Sequence, residues 1–194
     1  MNYTEPIRDS KELKKFIEFY KKGKPDMRNY CLIVTGLNTA LRISDILDLR
    51  WADVYDFDRK KIKEHIVIHE FKTGKGQTIA VNKNLSIGLN LFIKDFEKLD
   101  EDDYIFESKK SQGQPISRVQ AYRIIKYAAQ ETLTDSSRIS CHSLRKTFGY
   151  FAYKNGASPA LLMSIYNHSS FEVTKRYLGI NQDEKDSIYL SVKF

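Results

Sequence analysis

The sequence predicts an α+β fold that is mainly α, with a small antiparallel β-sheet, and three observations carry that expectation. Most apolar residues recur at i, i+3, i+4 and i+7, the period of a helix with one buried face. Only between residues 63 and 81 does the period drop to two on either side of a glycine turn, as in a hairpin. With 41% hydrophobic and 29% charged residues in a chain of 194, the composition is globular, and the length suffices for one core without disulfides or a structural metal.

The first helix opens at Ser10, a capping residue, and places Leu13, Phe16, Ile17 and Tyr20 on one face before Gly23 stops the run. Pro25-Asp26 opens a second, more apolar helix through Tyr30, Cys31, Ile33 and Val34, expected to end near Gly36. A short third helix carries Ile43, Ile46 and Leu47 up to Trp51. Residues 65–71 and 77–81 read as two strands joined by Lys72-Thr-Gly-Lys-Gly76. A helix over residues 85–99 presents Leu85, Leu89, Phe92 and Phe96, and an acidic turn then leads to a short strand at Tyr104-Ile-Phe106. Residues 108–113 form the most loop-like stretch, after which Ser117 and Gln120 make a capping box for a helix through Ala128 and Ala129. Helices over 144–153, 159–166 and 171–178 follow, punctuated by Gly156 and Gly179, with no internal repeat.

The formal net charge is +7, which favours a polyanionic partner such as nucleic acid. The basic residues are spread through the chain and form no arm or block. No stretch approaches the ~20 apolar residues of a membrane span, and the opening Met1-Asn-Tyr-Thr-Glu-Pro lacks the apolar core of an export signal. A cytoplasmic protein with no membrane partner is expected. Cys31 and Cys141 each sit in an apolar pattern and are expected to be free thiols.

Five features carry chemistry. Arg42 stands at the start of a helix with Asp45 three residues on, where a guanidinium can grip a phosphate bidentately while the carboxylate orients it. Lys72 lies on the hairpin turn, free to meet a leaving group or a groove of DNA, and Lys75 on the same turn competes for that role. His142-Ser-Leu-Arg145 puts an imidazole and a guanidinium on one side of a helix start, where backbone N–H groups also favour an anion. His168 falls in the loop Tyr166-Asn-His-Ser-Ser170, and Tyr177 follows nine residues later on a helix, a spacing that lets the two approach one site.

Together and in this order, these residues resemble the catalytic domain of the tyrosine recombinases, the phage integrase family. The similarity runs from about residue 26 to 179 and is most specific at Ala40-Leu-Arg42-Ile-Ser-Asp45, His142-Ser-Leu-Arg145-Lys-Thr147, and Asn167-His168 to Tyr177. Asn167 stands where the family pattern has glycine, and asparagine tolerates the left-handed backbone needed there. The resemblance implies that Tyr177 attacks a DNA phosphodiester, forming a 3′-phosphotyrosyl bond and freeing a 5′-hydroxyl. It assigns Arg42 and Arg145 to the non-bridging oxygens, Lys72 to protonation of the leaving oxygen, His142 to acid/base work and His168 to a phosphate hydrogen bond, with Lys75, Lys146 and Arg176 against DNA. Because the covalent link conserves the phosphodiester, no cofactor, ATP or metal is expected, and the sequence has no P-loop and no metal-ligand cluster.

The expected organisation is one tyrosine-recombinase catalytic domain over residues 1–194, without the N-terminal DNA-clamping domain of other family members. Residues 180–194 would form a docking tail, since Ile188, Tyr189, Leu190, Val192 and Phe194 are too apolar to remain in water. The expected function is site-specific recombination of the integrase or excisionase type on double-stranded DNA, with self-association into a tetrameric synapse. A DNA invertase of the same family and a catalytically silent DNA-binding protein are the alternatives.

Overall fold

The computed structural model describes residues 4–72, 74–178 and 189–192, with the backbone alone of Phe171, Arg176 and Leu178. The chain divides into two compact units, Met1–Phe148 and Gly149–Phe194. In the first, α1 (Ser10–Glu18) runs into a single wide π-type turn at Phe19–Gly23, followed by α2 (Met27–Thr39), α3 (Ile43–Asp48) and α4 (Trp51–Val54). Three two-stranded antiparallel sheets then interleave with two helices: β1 (Tyr55–Asp56) with β2 (Lys61–Ile62), β3 (His65–His69) with β4 (Gly76–Ala80), α5 (Lys83–Ile93), β5 (Glu107–Ser108) with β6 (Ser111–Pro115), and α6 (Arg118–Thr132). The division falls inside α7 (Cys141–Lys154), and the second unit continues with α8 (Pro159–Ile165) and α9 (Phe171–Leu178). The fold is thus mostly helical as expected, and none of the described helices is long and apolar enough to cross a membrane.

Local chemistry explains most of the boundaries. Asp9, rather than Ser10, caps α1: its carboxylate accepts from the N–H groups of Lys11 and Glu12 at 2.9 and 2.7 Å, and an anion there also faces the positive end of the helix dipole. Asp26 caps α2 by accepting from the Asn29 N–H at 3.0 Å. Ser117 caps α6 by accepting from the Gln120 N–H at 3.1 Å.

Three further expectations are corrected. The helix expected to end near Gly36 continues to Thr39, because Gly36 serves packing rather than termination: a Cβ there would lie 2.5 Å from Leu144 Cδ1. The chain leaves α2 instead at Ala40, which takes the left-handed conformation with φ 57°. The loop-like stretch at 108–113 belongs to the β5–β6 hairpin, an exposed polar ribbon with no buried face to imprint alternation on its sequence. Tyr104 makes only a single bridge with Arg50, while Ile105 and Phe106 are buried by packing.

The first unit packs around Phe16, Leu32, Ile33, Leu41, Ile46, Leu49, Trp51, Ile66, Leu85, Leu89 and Phe106, all essentially without solvent contact. On β3 the burial alternates, with Ile66 buried and His65, Val67 and His69 exposed, so the hairpin lays one face on this core. Cys31 and Cys141 are free thiols, and burial raises the Cys31 pKa to about 12. Of the apolar tail, Tyr189, Leu190 and Val192 are exposed, while Ile188 and Phe194 lie outside the described residues.

Gly36→Ala tests the close helix approach. Forcing a methyl group against Leu144 is expected to lower stability by about 1–3 kcal/mol, seen as a lower urea midpoint at unchanged slope. An unchanged midpoint would show that Leu144 yields freely.

Candidate active site

The corner between α2 and α3 is where the site begins. By turning left-handed at Ala40, the chain turns that residue's carbonyl out of the helix ladder, and Arg145 Nη1 donates to it. Arg145 is 2% exposed, so a guanidinium on α7 is anchored through one nitrogen to a backbone oxygen of this corner. Two residues on, Arg42 begins α3: its carbonyl accepts from the N–H groups of Asp45 and Ile46, both at 3.0 Å. Its side chain goes elsewhere. Arg42 Nη1 donates to Glu70 Oε2 at 2.7 Å, with side chains 18% and 0% exposed.

This corrects the expected partnership of Arg42 with Asp45. Arg42 precedes the helix with extended backbone, φ −73° and ψ 152°, so the i,i+3 spacing does not align the two side chains as it would inside a helix. Asp45, itself buried, accepts the Phe71 N–H at Oδ1 at 3.0 Å. Each carboxylate therefore ties the α3 start to the end of β3.

At that end the chain turns tightly. The Gly74 N–H donates to the Glu70 carbonyl at 2.8 Å, the Glu70 N–H donates to the Lys75 carbonyl at 3.0 Å, and Gly74 takes φ 65°. Lys72 and Lys75 are both exposed on this turn, beside Phe71 at 79% exposure. His142, on the exposed side of the first turn of α7, has its pKa held below the usual 6.5. Desolvation by the surrounding protein is the largest cause, followed by the positive charges of Arg145, Lys146, Arg42 and Lys72. Four sequence-predicted residues, Arg42, Lys72, His142 and Arg145, thus belong to one electrostatic cluster. Lys146 is buried, donates to the Thr4 carbonyl at 2.6 Å, and has its pKa lowered chiefly by that burial.

The second unit holds the other two. Asn167 adopts φ 52°, the left-handed conformation anticipated for it, and lets the chain leave α8 toward His168. The His168 ring stacks on Tyr166 with centroids 5.2 Å apart and meets the Tyr177 ring edge-on at 5.0 Å. Tyr166, fully buried, lies 5.0 Å from Tyr177. His168 Nδ1 and the buried Thr174 Oγ1 are 3.0 Å apart, within hydrogen-bonding distance, and a bond there fixes the ring from α9. The Arg176 side chain lies outside the described set.

Glu70 and the hairpin-facing role of Asp45 escaped the sequence reading. A signal existed: the inward positions of β3 are Ile66 and Ile68, and Glu70, one residue past the strand, continues the alternation as a buried residue, where an acid requires a cation or donor. Two measurements test this geometry. Asp45→Ala is expected to cost about 1–3 kcal/mol by removing the carboxylate that accepts the Phe71 N–H, with faster amide exchange at Phe71; an unchanged exchange rate would separate Asp45 from the turn. The His142 imidazole is expected to titrate by NMR below 6.5 and to move upward in Lys72→Ala and further in Arg145→Gln, whereas a midpoint indifferent to both would dissolve the cluster.

Comparison with known proteins follows the same line. The sequence matches the profile of the Phage integrase family over residues 8–184. It is 38% identical over 189 residues to the Probable integrase/recombinase YoeC of Bacillus subtilis (strain 168), covering 97% of both chains. It is 29% identical over 174 residues to the Type 1 fimbriae regulatory protein FimE of Escherichia coli (strain K12), covering 88% of this chain and 84% of that one. In structure it is similar to the XerA recombinase, with a TM-score of 0.77 at 19% identity, over 98% of this chain and 67% of the other. It is also similar to the XerH site-specific recombinase bound to palindromic difH substrate in a post-cleavage complex, with a TM-score of 0.74 at 16% identity, over 97% of this chain and 53% of the other. With most of its length matched by the profile and its ordered series of Arg, Lys, His-x-x-Arg, His and Tyr on the corresponding fold, the chain belongs to the phage integrase family of tyrosine recombinases.

Proposed function

We propose that this chain cuts and rejoins DNA strands through Tyr177, as a site-specific recombinase of the integrase type. The observation that carries the reading is the Ala40–Arg42 corner, where Arg42 starts α3 and the Ala40 carbonyl anchors Arg145. Two guanidiniums tied to one short segment are suited to the two non-bridging oxygens of a single phosphate. The similarity to XerH bound to difH substrate supports DNA as the partner.

In this reading Tyr177 Oη attacks the phosphorus, its proton passing to His142, and the bond from phosphorus to the 5′-oxygen breaks as Lys72 protonates that oxygen. A neutral His142 can accept a proton, and the downward shift of its pKa favours the neutral form. Arg42 and Arg145 balance the charge of the pentacovalent phosphorane, and His168 donates to the phosphate. Attack by a 5′-hydroxyl reverses the steps and reseals a strand. Lys75 and Arg176 meet the DNA backbone, while Lys146, held by Thr4, fastens α7 to the N-terminal segment. The tail bearing exposed Tyr189, Leu190 and Val192 docks on a neighbouring copy in a tetrameric assembly on DNA.

A nicked duplex, spanning the site the protein footprints in the DNA beside its own gene, releases a short fragment on cleavage and removes the 5′-hydroxyl needed for resealing. The expected result is a covalent protein–DNA adduct with the unaltered chain and none with Tyr177→Phe, which loses one oxygen and keeps its fold and DNA affinity. An adduct that persists in Tyr177→Phe would place the nucleophile elsewhere.

A further inference from the structure

We propose that Glu70 is a positioning residue for strand cleavage, acting through Arg42 by holding one nitrogen of its guanidinium and leaving the others for the phosphate. This rests on the cleavage reading above. The Glu70 side chain is fully buried and bonds Arg42 Nη1 at 2.7 Å. A guanidinium has five donors, and the rest of those on Arg42 make no hydrogen bond among the described residues. An arginine with a long, flexible stem and open donors binds a phosphate well only if its plane is fixed beforehand.

Glu70 is equipped to fix it. Its N–H and carbonyl are both used, to the Lys75 carbonyl and from the Gly74 N–H, so the carboxylate projects from backbone held on both sides. The electrostatics ask for an anion at this place. Arg42, Arg145, Lys72 and Lys146 all press on His142, and like charges so gathered repel one another until a phosphate arrives. One buried carboxylate offsets part of that repulsion where the guanidinium is least free to move. The carboxylate that holds Arg42 and the turn lysine two residues further on thus belong to the same strand end.

The test uses the nicked duplex with the full chain and three forms of the scissile phosphate: native, methylphosphonate, which has one negative charge fewer for Arg42 to balance, and 5′-bridging sulfur, which leaves without a proton. Glu70→Ala is expected to slow adduct formation by about tenfold to a hundredfold on native DNA. Glu70→Gln, whose amide oxygen still accepts from Arg42, is expected to keep most of the rate. The Glu70→Ala deficit is expected to shrink to a few-fold on methylphosphonate DNA and to persist on bridging-sulfur DNA. Should Glu70→Ala fail to fold, Glu70→Asp, which withdraws the carboxylate by one methylene, takes its place in the same comparison. A wild-type rate in the folded variant overturns the proposal, as does a deficit cured by sulfur but not by methylphosphonate, which would assign Glu70 to Lys72. Absence of an adduct with the unaltered chain would overturn strand cleavage itself, and the role of Glu70 with it.

Discussion

A carboxylate shut away from water must be met by a cation, and in the larger unit Glu70 is met by Arg42. That pair joins the end of β3 to the corner where α2 gives way to α3, and the Phe71 N–H bonded to Asp45 ties the same two elements a second time. The corner itself depends on Ala40, whose left-handed turn breaks the helix and turns out the carbonyl that anchors Arg145. The directions of both guanidiniums are thereby set by one strand end and one backbone reversal. Breaking such a pair by removing one partner costs about 3–5 kcal/mol, most of it from the charge left behind.

A consequence of this arrangement is positive charge gathered close to His142 in the larger unit. Arg145 is buried and donates to a backbone oxygen, Lys146 is buried against another, and His142, desolvated first and then pressed by these charges, gives up its proton more readily than a free histidine. The smaller unit is organised by packing instead: the rings of Tyr166, His168 and Tyr177 lie within about 5 Å of one another, and Thr174 fixes the imidazole from the helix that also carries Tyr177. A tyrosine and a histidine braced by ring contacts keep their places without charge pairing.

Much of this was legible beforehand where the signal is local. The β3–β4 hairpin is written as alternation around a glycine turn, the start of α6 as Ser117 three residues before Gln120, and the left-handed exit from α8 as an asparagine before His168. Where the sequence misled, a distant residue had intervened. Gly36 looks like a helix end and is a contact point, because Leu144, more than a hundred positions away, needs the space. The pairing of Arg42 with Asp45 follows from spacing inside a helix, and fails because Arg42 precedes the helix and a strand end supplies another carboxylate. The β5–β6 ribbon left no trace, since neither of its faces is buried and alternation records burial.

By itself the sequence determined the mainly helical class, the order of the candidate site residues and the family to which the chain belongs, because periodicity, caps and residue identity are properties of short stretches and of their order. Only the tertiary structure decided which carboxylate holds which cation, that Arg145 is anchored on the Ala40 carbonyl, and that Lys146 is spent inside the protein on Thr4. Those outcomes turn on ångström-scale proximity between residues 28 to 142 positions apart. Charge pairing falls off too steeply with distance and burial for any pattern along the chain to encode it.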